Sequence, residues 1–523
     1  MSSQRLTVVI GPSATPNGGL HVGHMAGPYL GADVYARYQR SRGHRVMFTT
    51  GTDDSQTYVD TTARRRGITT GQLLVEAAAD IQASLDALGI SVDAFVPSDA
   101  VYRTHVLSFV TALHEAGRLR LRTVRLPYSA ARGEYLIDGL VAGDCAVCLA
   151  DTCGGVCESC GHHVDYERLH NLRSTADPAD PVTLREATIL VLPMEEYRAE
   201  LESYHANRPF RWRPHIEQII DELLGRPLLD MAVTYPIARG IPAPFPEVPG
   251  QVINPWVEAM PASIHGTWWG MARAGERTEA PDEQWRAEHD ARLVYFVGYD
   301  NAPNWSLTYL ALLMAHGDRY IRPEAIVCNE FYELDHEKFS TSRGHLVRSV
   351  DLAAEVPRDL VRFFLALTGP ENQRTNFSRP AVDDVANRRL VEPWNALADA
   401  VAKATVGLEP GTELPVTPAG RQRAAALIER FELCYELPTF SLTRAAEGIA
   451  AQTARLAELA EARLGAEPAA LGDLLLEVRI LLDCAAPVLV DVAGTPDWPG
   501  ADNTAISVFT VPKLPSTVEL SLP

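Results

Sequence analysis

Short apolar runs alternate with longer stretches of helical spacing along the first 115 residues. Residues 7–10 and 46–50 read as buried strands, and 24–39 and 70–88 as helices. That alternation is expected of one half of a doubly wound parallel sheet. From about 116 to 235 the period is lost and Gly and Cys punctuate the text. A proline-rich bridge follows (Pro236, Pro242, Pro244, Pro246, Pro249), and the α/β pattern then resumes with strands at 293–297 and 325–328 around a helix near 305–316. From about 381 the chain turns rich in Ala, Leu, Glu and Arg with helical period, at 421–431, 442–464 and 471–486, the last stopped by Pro487. This predicts a helical bundle. The tail after Gly500 carries β-favouring pairs and three prolines, and is read as crossing back over another domain. There is no internal repeat or low-complexity tract.

At 523 residues the chain is long enough for two to four domains. Its 46% hydrophobic and 22% charged content is that of a soluble globular protein. No run approaches eighteen uninterrupted apolar residues, and no charged segment followed by an apolar one opens the chain, so the expectation is a cytoplasmic protein with no membrane span. A net charge of −20 disfavours loose binding to polyanions, DNA included, and leaves any nucleic-acid contact to a local basic patch.

Five of the eight cysteines lie within sixteen residues, which does not suit a disulfide framework. Cys145-x2-Cys148-x8-Cys157-x2-Cys160 forms two CxxC knuckles, with Gly154, Gly155 and Gly161 for the turns. Each knuckle can place two thiolates on one ion, so the expectation is a closed tetrahedral zinc site that folds the insertion and takes no part in catalysis. A redox pair or a lost metal is the competing reading. Cys153 falls between the knuckles as a bystander, and His162 or His163 is able to replace a ligand.

The first strand leads into a Gly/Pro/Asn turn and then His21-Val-Gly-His24 at the head of a helix. Strand, turn and helix N-terminus together face backbone N–H groups and the helix dipole toward an anion, where two imidazoles add phosphate contacts. About three hundred residues later stands Lys338-Phe-Ser-Thr-Ser342, followed by Arg343-Gly344. The pair resembles the HIGH and KMSKS signatures of class I aminoacyl-tRNA synthetases. The text from Asn17 to Met25, Arg37 to His44 and Gly51-Thr-Asp-Asp54, the cysteine cluster and Gly298-Tyr-Asp300 is similar to the methionyl-tRNA synthetase family. The likeness covers about the first 380 residues and, more faintly, the rest.

The resemblance implies a Rossmann-like catalytic fold divided as follows: 1–115, first half; 116–235, connective insertion with its zinc knuckle at about 140–165; 236–345, second half with the KFSTS loop; 346–380, a linker or stem-contact-like region; 381–498, an anticodon-binding-like bundle; 499–523, the tail. It implies ATP-dependent, AMP-forming activation of an amino acid, with Mg2+ on the nucleotide. His21, His24 and Lys338 take the catalytic positions, and Asn17, Gly23, Gly298, Asp300, Ser340 and Ser342 those that hold ATP. Asp300 matches the ribose-binding Asp, against the alternative of a helix cap. Asp53 matches the carboxylate that anchors the substrate ammonium, and capping of the next helix is again the alternative.

The chain departs from the family where the amino-acid side chain binds. Ser13 and Thr15 replace an apolar residue and a tyrosine. Trp256 is kept and Ala259 stands nearby, but Met260 and Ser263 align with a proline and a tyrosine, and Trp305 with a histidine. Lost apolar surface and gained hydroxyls weaken methionine binding, each buried methylene being worth about 0.8 kcal/mol. The expected substrate is a small or polar amino acid such as glycine or serine. Thr341 replaces a lysine of the signature loop, which is expected to slow activation without abolishing it, and Tyr235 stands for an arginine. On the anticodon side Asn395 is kept, but Asp399 replaces an arginine, and a carboxylate repels phosphate. The expected acceptor is therefore a small-molecule amine, hydroxylamine or alcohol in a natural-product pathway, possible hydrazine formation included, with a separate partner enzyme. A divergent methionine–tRNA ligase and a non-catalytic amino-acid sensor are the alternatives.

Overall fold

The computed structural model describes residues 5–339, 344–463, 465–494 and 497–517. The chain forms two compact units. The first gathers residues 1–19, 47–82 and 92–329, and the second 20–46, 83–91 and 330–523.

The first unit holds a five-stranded sheet of β1 (Leu6–Ile10), β2 (Arg45–Gly51), β3 (Ala94–Val96), β4 (Arg292–Gly298) and β5 (Ala325–Asn329), in the order β5-β4-β1-β2-β3. β1 runs parallel to β4, β4 to β5, and β2 to β3. Parallel strands covered on both faces read as continuous apolar runs, and β1 is buried at all five positions. Strands whose paired residues, Thr7 and Arg292, stand 285 positions apart in the chain thus lie side by side, one contributed by each side of the insertion. The insertion folds separately. Arg120–Ser129 and Val182–Leu192 form a long antiparallel ribbon, and Val141–Asp144 pairs with Asp151–Cys153 and His170–Ser174 to carry the cysteines.

The second unit contains the helical run predicted from His24, but not as one helix. Val22–His24 is α-helical, Met25–Tyr29 is a π-turn, and the helix α1 (Leu30–Ser41) follows. Pro28 lies in that turn and Gly27 departs from helical geometry (φ −82°, ψ −114°). Proline has no N–H to donate to the preceding turn, so the ladder opens there. Asp33 of α1 is fully buried against Arg362 at 2.7 Å, and also accepts from the Ser91 N–H at 2.7 Å. The bundle consists of α2 (Glu392–Ala404), α3 (Pro418–Tyr435), α4 (Leu442–Ala462) and α5 (Pro468–Ala485). The tail does cross back: Ala505–Ser507 pairs with Glu413–Pro415, and Val508, Val511 and Leu514 are buried. Among the described residues no helix is long and apolar enough to cross a membrane.

Candidate active site

In the second unit the two histidine rings stack with centroids 3.7 Å apart, and Phe339 stacks on His21 at 4.7 Å. The His21 N–H donates to His24 Nδ1 at 3.3 Å. Gly23 is the residue this packing permits, because a Cβ there would lie 3.0 Å from His21 Nδ1 and 3.1 Å from the Phe339 ring. Burial holds both imidazoles below their ordinary range, His24 down to about 4, and the neighbouring Lys338 charge adds to the effect. Both rings are therefore neutral hydrogen-bonding groups at pH 7. Lys338 sits at the end of a short hairpin, Nζ 4.8 Å from the Phe331 ring. Ser340, Thr341 and Ser342 lie outside the described residues.

In the first unit a cavity of about 40 Å³ opens at the carboxyl end of the sheet. Ser13, Asp53, Trp256, Ala259, Ser263 and Trp305 line it. Thr15 and Met260 do not. Thr15 forms a turn whose carbonyl accepts the Asn17 N–H at 2.8 Å, and Met260 is buried with its sulfur 3.8 Å from the Tyr295 hydroxyl. Trp305 is 4% exposed, wedged between Tyr295 and Tyr309 with centroids 4.4 and 4.9 Å away. Asp53 accepts from Gln56 Nε2 at 2.7 Å, and burial followed by the Glu258 charge raises its carboxyl well above the usual range. Asp300 folds back over Gly298, where a Cβ would lie 2.8 Å from its Oδ1. Tyr102, Glu258, Asn301 and Tyr309 also face the cavity. Glu258, an acid inside an otherwise apolar run, is the one with a sequence signal. A second cavity of about 360 Å³ shares Trp256 and is lined by His163, Tyr235, Asn304 and Leu307 among others.

The cysteines form one cluster. Cys145 and Cys160 sulfurs are 3.8 Å apart, Cys148 and Cys157 3.7 Å, and all four lie within 4.8 Å of one another. Sulfurs about 2.3 Å from a tetrahedral zinc stand about 3.8 Å apart, so the cage fits that ion. His162 turns to the Cys160 carbonyl and His163 to Asn304 and Thr308, so neither replaces a thiol. Cys153 faces the Asp138 carbonyl, and burial pushes its thiol up to about 12.

Residues 7–402 match the family described as tRNA synthetases class I (M). The chain belongs to that family. Its members are ATP-dependent, AMP-forming ligases, and this chain is an enzyme of that kind. A methionine–tRNA ligase of Roseiflexus sp. (strain RS-1) is 33% identical over 451 residues, spanning 83% of this chain and 74% of that protein. The methionine–tRNA ligase of Roseiflexus castenholzii is likewise 33% identical, over 80% and 72%. A solved structure of Mycobacterium tuberculosis methionyl-tRNA synthetase in complex with methionyl-adenylate shares the fold, with TM-score 0.72 at 21% identity over 99% of this chain and 100% of that one.

In this class I synthetase side chains of α2 hold the tail. Asn395 donates to the Leu514 carbonyl at 3.0 Å and accepts its N–H at 2.9 Å. Trp394 Nε1 donates to the Pro512 carbonyl, and Asp399 pairs with Lys513 at 2.7 Å.

Proposed function

We propose that the chain activates a small or polar amino acid with ATP and passes the aminoacyl group to a small-molecule amine, hydroxylamine or alcohol. The carboxylate oxygen attacks the α-phosphorus as the bond to the β-phosphate bridge breaks, so pyrophosphate leaves and an aminoacyl-adenylate remains; Mg2+ on the nucleotide would supply charge neutralisation. Little covalent help is needed for this step; position and charge stabilisation supply the rate. Asp53 anchors the ammonium and Asp300 the ribose, with Asn17, Gly23 and Gly298 shaping the nucleotide site. His21 and His24, kept neutral, donate to the phosphates on one side, and Lys338 with Ser340 and Ser342 takes the other. The acceptor's nitrogen or oxygen then attacks the acyl carbon, and AMP leaves. The four cysteines hold a structural Zn2+.

One observation carries the choice of amino acid. A cavity of about 40 Å³ gives room for about three water-sized positions, and Trp305, Ser13 and Ser263 present bulk and hydroxyls where a thioether needs a long apolar slot. The acceptor reading draws on α2, where Asn395 hydrogen-bonds to the tail and Asp399 pairs with Lys513. A second reading, methionine–tRNA ligation, is favoured by the relatives at 33% identity, and by Trp256 as a wall between the small cavity and the 360 Å³ one, since a turned indole would join the two. Exchange of labelled pyrophosphate into ATP, screened over the common amino acids, tests both. Exchange with a small amino acid and none with methionine is expected. Methionine-dependent exchange together with charging of the cognate tRNA would establish the second reading instead.

A further inference from the structure

Glu258 lies one half-turn beyond Trp256 on the helix Pro255–Arg273 and is 2% exposed, yet it lines the 40 Å³ cavity. Tyr102 Oη donates to its Oε2 at 3.2 Å and the Ser55 hydroxyl also faces the carboxylate, while Oε1 has no partner within hydrogen-bond distance. A buried carboxylate with one oxygen unserved is costly to a fold that gains nothing from it. Asp53 faces the same cavity, so two carboxylates share a space into which one substrate ammonium brings a single positive charge. The rest of the wall mixes donors, among them Trp256, Asn301, Trp305 and Tyr309, with acceptors. Ser263 spends its proton on the Ala259 carbonyl at 2.9 Å and presents only lone pairs to the cavity.

We propose that Glu258 reads the substrate's side chain: its unserved oxygen accepts a hydrogen bond from a hydroxyl or amine on a short side chain, so the enzyme selects serine-like or short diamino acids over glycine, alanine or a thioether. This rests on the reading that the chain activates an amino acid, and narrows the substrate class of that site. Burial raises the Glu258 carboxyl to about 7, so near neutral pH it is able to meet an amine as an anion or exchange hydrogen bonds with a hydroxyl as an acid. A site that pairs its buried polar groups with a ligand donor rejects the analogue lacking that donor, because those groups are then left unpaired.

The test compares pyrophosphate exchange by the full chain with serine, 2,3-diaminopropionate, alanine, glycine and methionine, before and after Glu258→Gln. Serine or diaminopropionate is expected to exceed alanine in kcat/KM on the order of 10²-fold, and Glu258→Gln to collapse that ratio by at least tenfold. Equal rates for serine, diaminopropionate and alanine with the unaltered chain overturn the proposal without any variant, so it does not depend on the variant folding. A ratio unchanged by Glu258→Gln overturns it too, as does an equal rise of KM for all five, which would make Glu258 a second partner of the α-ammonium. Exchange with methionine alone overturns it while leaving amino-acid activation standing. Exchange with none overturns activation and this proposal together.

Discussion

Around His21 and His24 the buried polar groups are uncharged and packed ring on ring, whereas around Asp53 and Glu258 they are carboxylates turned toward a cavity. In the histidine cluster Gly23, Phe339 and the two rings pack against one another, and His21 Nδ1 is left without a hydrogen-bond partner. In the carboxylate pocket burial raises both acids, and one oxygen of Glu258 lacks a partner. The first region presents neutral donors to an arriving phosphate, and the second stores a deficit that an amino acid removes. Trp305 walls one side of that pocket. Trp305→Ala is expected to cost about 3–5 kcal/mol in calorimetric unfolding and to admit methionine in the exchange assay. Unchanged stability would mean that the indole does not wall the pocket, and the contrast would lose its basis.

Lys338→Ala probes the other side. Removing one preorganised donor from a charge-stabilising site typically costs about 10²- to 10³-fold in rate, and exchange should fall by that factor. Amino-acid affinity, measured by equilibrium dialysis without ATP, should hold, because Asp53 and Glu258 carry it. A parallel loss of amino-acid affinity would show that the two regions do not divide the work in this way.

What the sequence revealed depended on how local the signal was. The CxxC knuckles and His21-Val-Gly-His24 are local, and a cage fit for zinc and a stacked pair of rings appear where the spacing put them. The strands at 7–10, 46–50, 293–297 and 325–328 were legible because apolar runs in a covered parallel sheet need no partner to be recognised. The break at Pro28 went unpredicted although proline signals it, since helical periodicity continues on both sides. The pocket was legible only in part. Ser13, Ser263 and Trp305 reach the cavity, while Thr15 and Met260 turn away from it, a difference of side-chain direction that spacing does not encode. Tyr102 meets Glu258 from a helix 156 residues away, and no local pattern announces such a pair. The tail's return was readable from its β-favouring text, but its seat on Asn395 and Asp399 was not.

The finest test of the contrast is its sign with pH. Burial holds His24 near 4, against 6.5 for an exposed histidine. Between those values the unfolded chain binds a proton that the folded chain refuses, so the His24 contribution is fully present above pH 6.5 and is lost as pH falls toward 4. The gap corresponds to roughly 3 kcal/mol. Glu258 behaves in the opposite sense: its carboxyl is raised from 4.5 to about 7, the folded chain holds the extra proton, and that contribution is present below pH 4.5 and lost as pH rises through 7. Urea unfolding at pH 7.5 and 4.5 separates the two. His24→Asn should shrink the loss of stability on acidification by roughly 2 kcal/mol, with His205, His265 and His316, also held near 4 by burial, contributing equally to variant and parent. Glu258→Gln should enlarge that loss by a similar or smaller amount, because it removes a group that gains stability in acid. Changes of the same sign in the two variants would mean that both regions are held in the same way, and would undo the distinction between a neutral ring cluster and a pocket of raised carboxyls.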